Sequence, residues 1–198
     1  MGFATSEPVM PIALKMLIAG GFGVGKTTMV GSVSEVAPLE TEETISEVSR
    51  GVDDLFGVEA KSTTTVAMDF GRITLDKGMV LYLFGTPGQD RFWFMWDDLA
   101  SGVLGAVVLA DTRRLEDSFA SIDYFESRRI PFAVAVNCFD GRCGSTADDV
   151  KAALDLDAGT PVILCDVRHR ESSKKVLLKV LEAARAQAAG LQTSTGGF

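Results

Sequence analysis

Gly20-Gly21-Phe22-Gly23-Val24-Gly25-Lys26-Thr27 has the residue types and spacing for chemistry on phosphate. It satisfies G-x-x-x-x-G-K-[ST], lying between an apolar run and an expected helix, the context the motif requires. Glycines let successive backbone N–H groups curl around phosphate oxygens, and a helix N-terminus adds the positive end of its dipole. In this arrangement Gly21, Phe22, Gly23, Val24 and Gly25 cradle the ligand. Lys26 reaches the β- and γ-phosphates, the Thr27 hydroxyl ligates Mg²⁺, and Thr28 follows in the same helical turn. Glycines that merely make a turn do not account for Lys and Thr at this offset. The motif implies a nucleoside triphosphate without specifying its base.

Three later segments bear on the base and on the reacting phosphate. Gly85-Thr86-Pro87-Gly88-Gln89 follows an apolar run. There, a Gly88 N–H can donate to the γ-phosphate and Gln89 can orient the attacking water. Asn137-Cys138-Phe139-Asp140 follows another run, and a carboxylate at Asp140 accepts from the N1–H and exocyclic amine of guanine together. Adenine lacks that donor pair, so an aspartate here selects GTP over ATP. Cys165-Asp166-Val167 closes the last run, where a backbone N–H would meet the guanine carbonyl oxygen.

The elements that must hold these loops are legible as alternating runs. Ala13–Ala19, Val103–Ala110, Pro131–Val136 and Pro161–Cys165 are apolar stretches suited to strands buried on both faces. Thr65–Leu75 and Met79–Phe84 form an expected hairpin, with Asp76-Lys77-Gly78 as its turn. Helices are expected from Lys26 to about Ala37, over Gln89–Ala100, over Glu116–Arg129 with Phe119, Ile122 and Phe125 on one face, over Thr146–Leu156 with a Thr146/Asp149 capping box, and over Glu171–Ala189. Leu39–Thr64, acidic and then rich in Thr, Ser and Gly, is expected to be a long loop. Strands alternating with helices predict an α/β fold: a single P-loop NTPase domain over residues 11–190, mostly parallel, with one antiparallel strand and helices on both faces. Residues 1–10 and 191–198 are expected to be flexible ends.

Over residues 12–190 the chain resembles the Ras-like small GTPases, and most of all the bacterial branch related to the gliding-motility polarity GTPases. Within that branch, GGFGVGKTT, TTTVAMDFG, LFGTPGQDRFWFMWDD and VAVNCFDG are similar to the actinobacterial conservon GTPases. The resemblance implies a switch binding GTP, GDP and Mg²⁺, encoded beside a sensor-kinase-like protein and a roadblock-fold regulator. The family's Thr-x-x-x-Asp-Phe pattern falls on Thr65–Phe70, which makes Thr65 the switch threonine that meets Mg²⁺ and the γ-phosphate, with Thr63 and Thr64 as competitors.

Four departures from that pattern shape the expected activity. The D-x-x-G aspartate has become Gly85, which lowers metal affinity. Phe22 fills a position where glycine leaves room for an incoming arginine finger. Cys138 replaces the lysine of N-K-x-D, weakening nucleotide binding. The loop before Thr65 is long. A slow, partner-stimulated GTPase is the expected activity; Arg91 and Arg50 are each either a solvated surface charge, the plainer reading, or a finger supplied by the chain itself. A GTP-binding scaffold that scarcely hydrolyses is the alternative, and a P-loop ATPase of the ParA-like or MinD-like kind stands further off, because the signature lysine would replace Gly21.

Phe92-Trp93-Phe94-Met95-Trp96 covers every face of a helix with large apolar groups. Either part of this helix docks a partner or a membrane, or it is buried against the Glu116–Arg129 segment. The 198 residues carry 27 acidic and 19 basic side chains, a net charge of −8, which disfavours nonspecific binding to nucleic acid or anionic lipid. With 46% hydrophobic and 23% charged residues, the chain is not a mostly disordered one. Cys138, Cys143 and Cys165 are expected to be reduced thiols in a cytoplasmic monomer, recruited to a membrane only through partners. His169 is expected at the surface.

Overall fold

In the computed structural model the described residues are 11–37, 39–46, 63–76, 78–88, 95–141 and 143–195; for 39–46, 63–67, 140 and 191–195 the backbone alone is described. Seven strands form one sheet in the order β2-β3-β4-β1-β5-β6-β7. They are β1 Ile12–Gly20, β2 Leu39–Ser46, β3 Thr63–Asp76, β4 Met79–Gly85, β5 Gly105–Ala110, β6 Phe132–Asn137 and β7 Val162–Cys165. β1 pairs in parallel with β4 and β5, and β5, β6 and β7 continue in parallel. β3 runs antiparallel to both its neighbours, so it is the single reversed strand. The expected α/β architecture is thus observed.

Alternation along β1 builds the core. Met16 and Ile18 face one side and join Met29, Val30 and Val33 of α1 (Lys26–Val33) and Val176, Leu177 and Val180 of α5 (Arg170–Thr195). Leu17 and Ala19 face the other side and join Trp96 and Leu99 of α2 (Trp96–Ala100), Ile122 and Phe125 of α3 (Phe119–Ser127), and Val150 of α4 (Ala147–Ala153). Successive strand side chains point to opposite faces, so a continuous apolar run feeds both layers at once. Because β1 has the later strand β4 on one side and β5 on the other, its C-terminal end opens at the point where strand order reverses. That is where ligands bind in doubly wound sheets.

Several expectations need correction. Leu39–Ser46 is an edge strand rather than loop; the rest of that stretch, 47–62, lies outside the described residues. α1 stops at Val33 because the Ser34 hydroxyl accepts from the backbone N–H of both Val36 and Arg72, drawing the chain into an extended turn. In α3, Phe119 is exposed, while Tyr124 joins Ile122 and Phe125 in the core. The Thr146/Asp149 capping box is present. α5 continues through Thr195, past the Ala189 expected for its end.

Candidate functional site

The phosphate loop turns on glycines in left-handed conformations, Gly20 at φ 132°, Gly23 at 74° and Gly25 at 109°. Side chains rarely adopt these angles, so the loop demands glycine there. Gly25 caps α1 with no side-chain hydrogen bond at that end, leaving the helix N-terminus to backbone donors. The Lys26 ammonium donates to the carbonyls of Gly20 at 2.7 Å and Gly21 at 2.8 Å. Burial pushes its pKa down to about 8, against the nearby Asp69 carboxylate, which raises it. A Cβ added at Gly88 would lie 2.7 Å from Lys26 Nζ, so Gly88 sits directly over the loop, where a γ-phosphate donor belongs. At Gly21 a Cβ would meet Asp117 Cβ at 2.7 Å, so the position that a ParA-like lysine would take is closed.

Phe22 is 71% exposed at the mouth of this loop, and its carbonyl accepts from Arg114 at 3.0 Å. Beside it an open cleft of about 460 Å³ is lined by Gly21, Phe22, Gly88, Arg114, Asp117 and Ala120. The sequence places Asp111-Thr112-Arg113-Arg114 at a strand end on the ligand edge, where turn capping and solvation account for it; the contact of Arg114 with Phe22, 92 residues away, exists only in the fold.

Behind the phosphate loop, Asn137 ends β6 with its amide Nδ2 donating to the Val24 carbonyl at 3.0 Å. The Val167 N–H donates to Asn137 Oδ1 at 3.4 Å, and the Cys138 N–H to the Cys165 carbonyl at 2.7 Å. One buried side chain therefore ties the phosphate loop to both base-side segments. The N–H groups of Asp166 and Val167 have partners within the protein, the first the Ser172 hydroxyl at 3.0 Å and the second Asn137 Oδ1. The Arg168 guanidinium beside Asp166 holds that carboxyl down at about 2. Asp140 follows Phe139 in a short 3₁₀ turn, with Arg113 stacked 4.3 Å over the Phe139 ring.

Two of the three thiols are not reduced: Cys138 is disulfide-bonded to Cys143. An odd cysteine count hides a bridge with one residue left over, and that residue, Cys165, is buried with its thiol pushed up to about 12 by desolvation. His169 is at the surface, 3.6 Å from Asp166. Trp96 is buried, its ring 4.9 Å from Tyr124 and 5.7 Å from Phe125, so this residue follows the core reading of the aromatic stretch. Phe92, Trp93 and Phe94 lie outside the described residues, as do Gln89, Arg91 and Arg50. Thr65 stands in β3 opposite Thr44.

The residue that sequence reasoning missed at the phosphate end is Asp69. Its Oδ2 accepts from the Thr27 hydroxyl at 2.9 Å. Among the described residues no group of three or more His, Cys, Asp or Glu is placed to hold a metal. Mg²⁺ commonly uses one or two protein oxygens together with substrate phosphates, and the Thr27/Asp69 pair fits that donor chemistry. The buried Thr86 hydroxyl has no hydrogen-bond partner. No helix among the described residues is long and apolar enough to cross a membrane.

The family described as "conserved hypothetical ATP binding protein" matches residues 18–187. An uncharacterized protein of Methanocaldococcus jannaschii, MJ1339, is 30% identical over 129 residues, 64% of this chain and 71% of that one. The Ras-related protein RABC1 of Arabidopsis thaliana is 23% identical over 214 aligned positions, spanning 100% of this chain and 89% of the relative. Among solved structures, the G domain of the T. maritima FeoB iron transporter matches with TM-score 0.61 and 19% identity, covering 87% of this chain and 99% of that one. The Methanococcus jannaschii FeoB G-domain gives TM-score 0.60 and 12% identity over 87% and 98%. The cytosolic domain of the T. maritima transporter in a GDP form gives 0.61 and 19% over 88% and 64%. The fold is that of a small-GTPase-like G domain.

Proposed function

The chain belongs to the family described as conserved hypothetical ATP-binding proteins; on the geometry of its site, and not on that description, we propose that it is a guanine-nucleotide switch that binds GTP with Mg²⁺ and hydrolyses it slowly to GDP. The observation that carries this reading is the Asn137 amide, which joins the phosphate loop at Val24 to the loop bearing Asp140. That tether supports a reading in which the segment bearing Asp140 meets the base of a nucleotide held on Lys26. A carboxylate at Asp140 favours guanine through its paired N–H donors. The GDP form of a structural neighbour agrees with this choice.

In this reading Gly21 to Thr28 bind the phosphates, Lys26 and Gly88 bind the γ-phosphate, Thr65 closes on it, and Gln89 orients the water. Mg²⁺, when bound, neutralises charge on the phosphate oxygens, with Thr27 and Thr65 as its ligands. Phe22 narrows the mouth to an external arginine, and Arg114, already on the Phe22 carbonyl, is a described arginine at that opening. Slow turnover and stimulation by a partner follow. The family resemblance proposes a roadblock-fold regulator and a sensor-kinase-like protein as partners, within the branch of the conservon and gliding-motility GTPases, and membrane recruitment through them.

The family's description favours a second reading, an ATPase. Calorimetric titration of nucleotide-free protein with GDP, GTP, ADP and ATP separates the two. GDP is expected to bind at least about 100-fold tighter than ADP, because an unpaired buried polar group is costly in the wrong complex. Asp140→Asn is expected to erase that preference. Equal binding of ADP would overturn the guanine reading, and tight GTP binding without phosphate release would leave a scaffold.

A further inference from the structure

We propose that the Cys138–Cys143 bond is a thiol–disulfide exchange site for a dithiol reductant, and that closing it tightens the hold of the Asp140 loop on guanine. The inference rests on the nucleotide reading above and names a control acting on its base end.

The loop runs between two fixed points. At its start Asn137 is tied to Val24 and Val167, and the Cys138 N–H donates to the Cys165 carbonyl at 2.7 Å. At its far end the Thr146/Asp149 capping box pins the first turn of α4. Between these points the chain is open. Gly141 takes a left-handed φ of 70°, and a Cβ at Gly141 or at Gly144 would meet nothing within 4 Å. The turn is supported by a bond from the Gly141 N–H to the Cys138 carbonyl at 3.1 Å and by the Arg113 guanidinium over the Phe139 ring. The disulfide is the covalent tie across this segment, joining Cys138 on the anchored side to Cys143 on the glycine side. Cutting it returns conformational freedom to the chain around Gly141 and Gly144, and that freedom must be lost again whenever the loop closes on a base.

The two sulfurs differ in access, which sets the order of exchange. Cys138 is buried and Cys143 is half-buried. A thiolate of the dithiol attacks Cys143 Sγ, the Cys138–Cys143 bond breaks, and Cys138 leaves as a thiolate that takes up a proton. The second thiolate of the reductant then attacks the reductant's own sulfur in the mixed disulfide, freeing Cys143, which is protonated in turn. Two electrons and two protons pass from the dithiol to the bond, and the reductant departs as a disulfide. A two-electron thiol oxidant restores the bond and takes both protons. Cys165 stands at the buried end, where its Sγ lies 3.5 Å and Cys138 Sγ 3.6 Å from the Val136 carbonyl. Burial keeps that third thiol protonated, so it does not compete for Cys138.

The test compares the full chain closed with diamide and opened with dithiothreitol, with folding followed by circular dichroism. Thiol titration of the unfolded chain reports the state, one thiol when closed and three when open. Displacement of fluorescent N-methylanthraniloyl-GDP by GDP and by ADP gives the affinities. Opening the bond is expected to weaken GDP about tenfold, chiefly through faster release, and to leave ADP within about twofold. Re-closing with diamide is expected to restore GDP binding, a comparison that needs no variant to fold. Folded Cys143→Ser is expected to match the opened wild type in both reagents, and Cys165→Ser to keep the tenfold response. Equal GDP affinity in the two folded forms overturns the proposal and makes the bond a staple for stability alone. A loss shared equally by ADP overturns it too, because the effect would then not lie at the base. A chain that keeps three thiols in diamide also overturns it. Wild-type protein that binds no guanine nucleotide in either form overturns the function reading with it.

Discussion

At the end of the site proposed for the base, order comes from neutral groups: a buried amide at Asn137, backbone N–H donors of Cys138 and Val167, and the carbonyls of Val24 and Cys165. At the phosphate end it comes from charge, with the Lys26 ammonium held on carbonyls beside the Asp69 carboxylate. The end proposed for the base is built by β6 and β7, parallel strands of which β7 is the sheet's edge. The phosphate end draws on β3, the one reversed strand. Neutral buried bonds cannot be screened or titrated, so they fix a geometry. Opposed charges respond to pH, salt and metal, so they can report a change. A molecule with both in one proposed nucleotide site can hold a base steadily while its phosphate contacts vary.

The largest effect should come from breaking the neutral end. Asn137→Ala leaves the Val24 carbonyl and the Val167 N–H without their partner, and each buried group so exposed costs about 1–3 kcal/mol. A melting temperature lowered by several degrees and weakened GDP binding are expected. An unchanged melting temperature would mean that Asn137 does not hold the base end.

The charged end should answer to pH. Lys26 titrates at about 8 in the folded protein and near 10.5 when unfolded. Between those values the unfolded chain binds the extra proton, so this residue makes the ligand-free fold more stable as pH rises from 8 to 10.5. Phosphate binding needs the cation and moves oppositely: affinity should fall above pH 8, by up to about tenfold per unit. Titrations at rising pH check this against Lys26→Arg, whose charge does not titrate in that range and whose binding should stay flat. A wild type that is equally flat would place the Lys26 pKa elsewhere.

A smaller change sharpens the contrast. Thr86 is 2% exposed with an unpartnered hydroxyl, and Thr86→Val removes that hydroxyl while keeping the shape. The ligand-free protein is expected to be unchanged or more stable by about 1 kcal/mol in thermal unfolding. A loss of that size would show that the hydroxyl is satisfied in solution.

What could be read from the sequence divides along the same line. Strands buried on both faces announce themselves as apolar runs, and the phosphate loop is contiguous, so β1, β5, β6 and the Gly20–Thr27 segment were all legible. The strand at Leu39–Ser46 was not: with only Leu39 and Ile45 apolar among acidic and hydroxyl residues, LETEETIS carries no period-two signal. Asp69 was visible as a residue of the Thr65–Phe70 pattern but not as a neighbour of Gly85, because that proximity exists only through the β3–β4 register. Arg114 at Phe22 and the Cys138–Cys143 bond are likewise products of folding, set by where loops meet and not by any pattern within them.

The bond between Cys138 and Cys143 closes a ring around Phe139 and Asp140. Two samples of one polypeptide, prepared with and without a thiol reductant, are then different molecules at the loop proposed to discriminate bases. The closed form is lighter by two hydrogens and has no thiol open to alkylation at either position, while the buried Cys165 stays unreactive in both. A nucleotide affinity measured on this protein belongs to whichever of the two was in the tube, and intact mass is the record that identifies it.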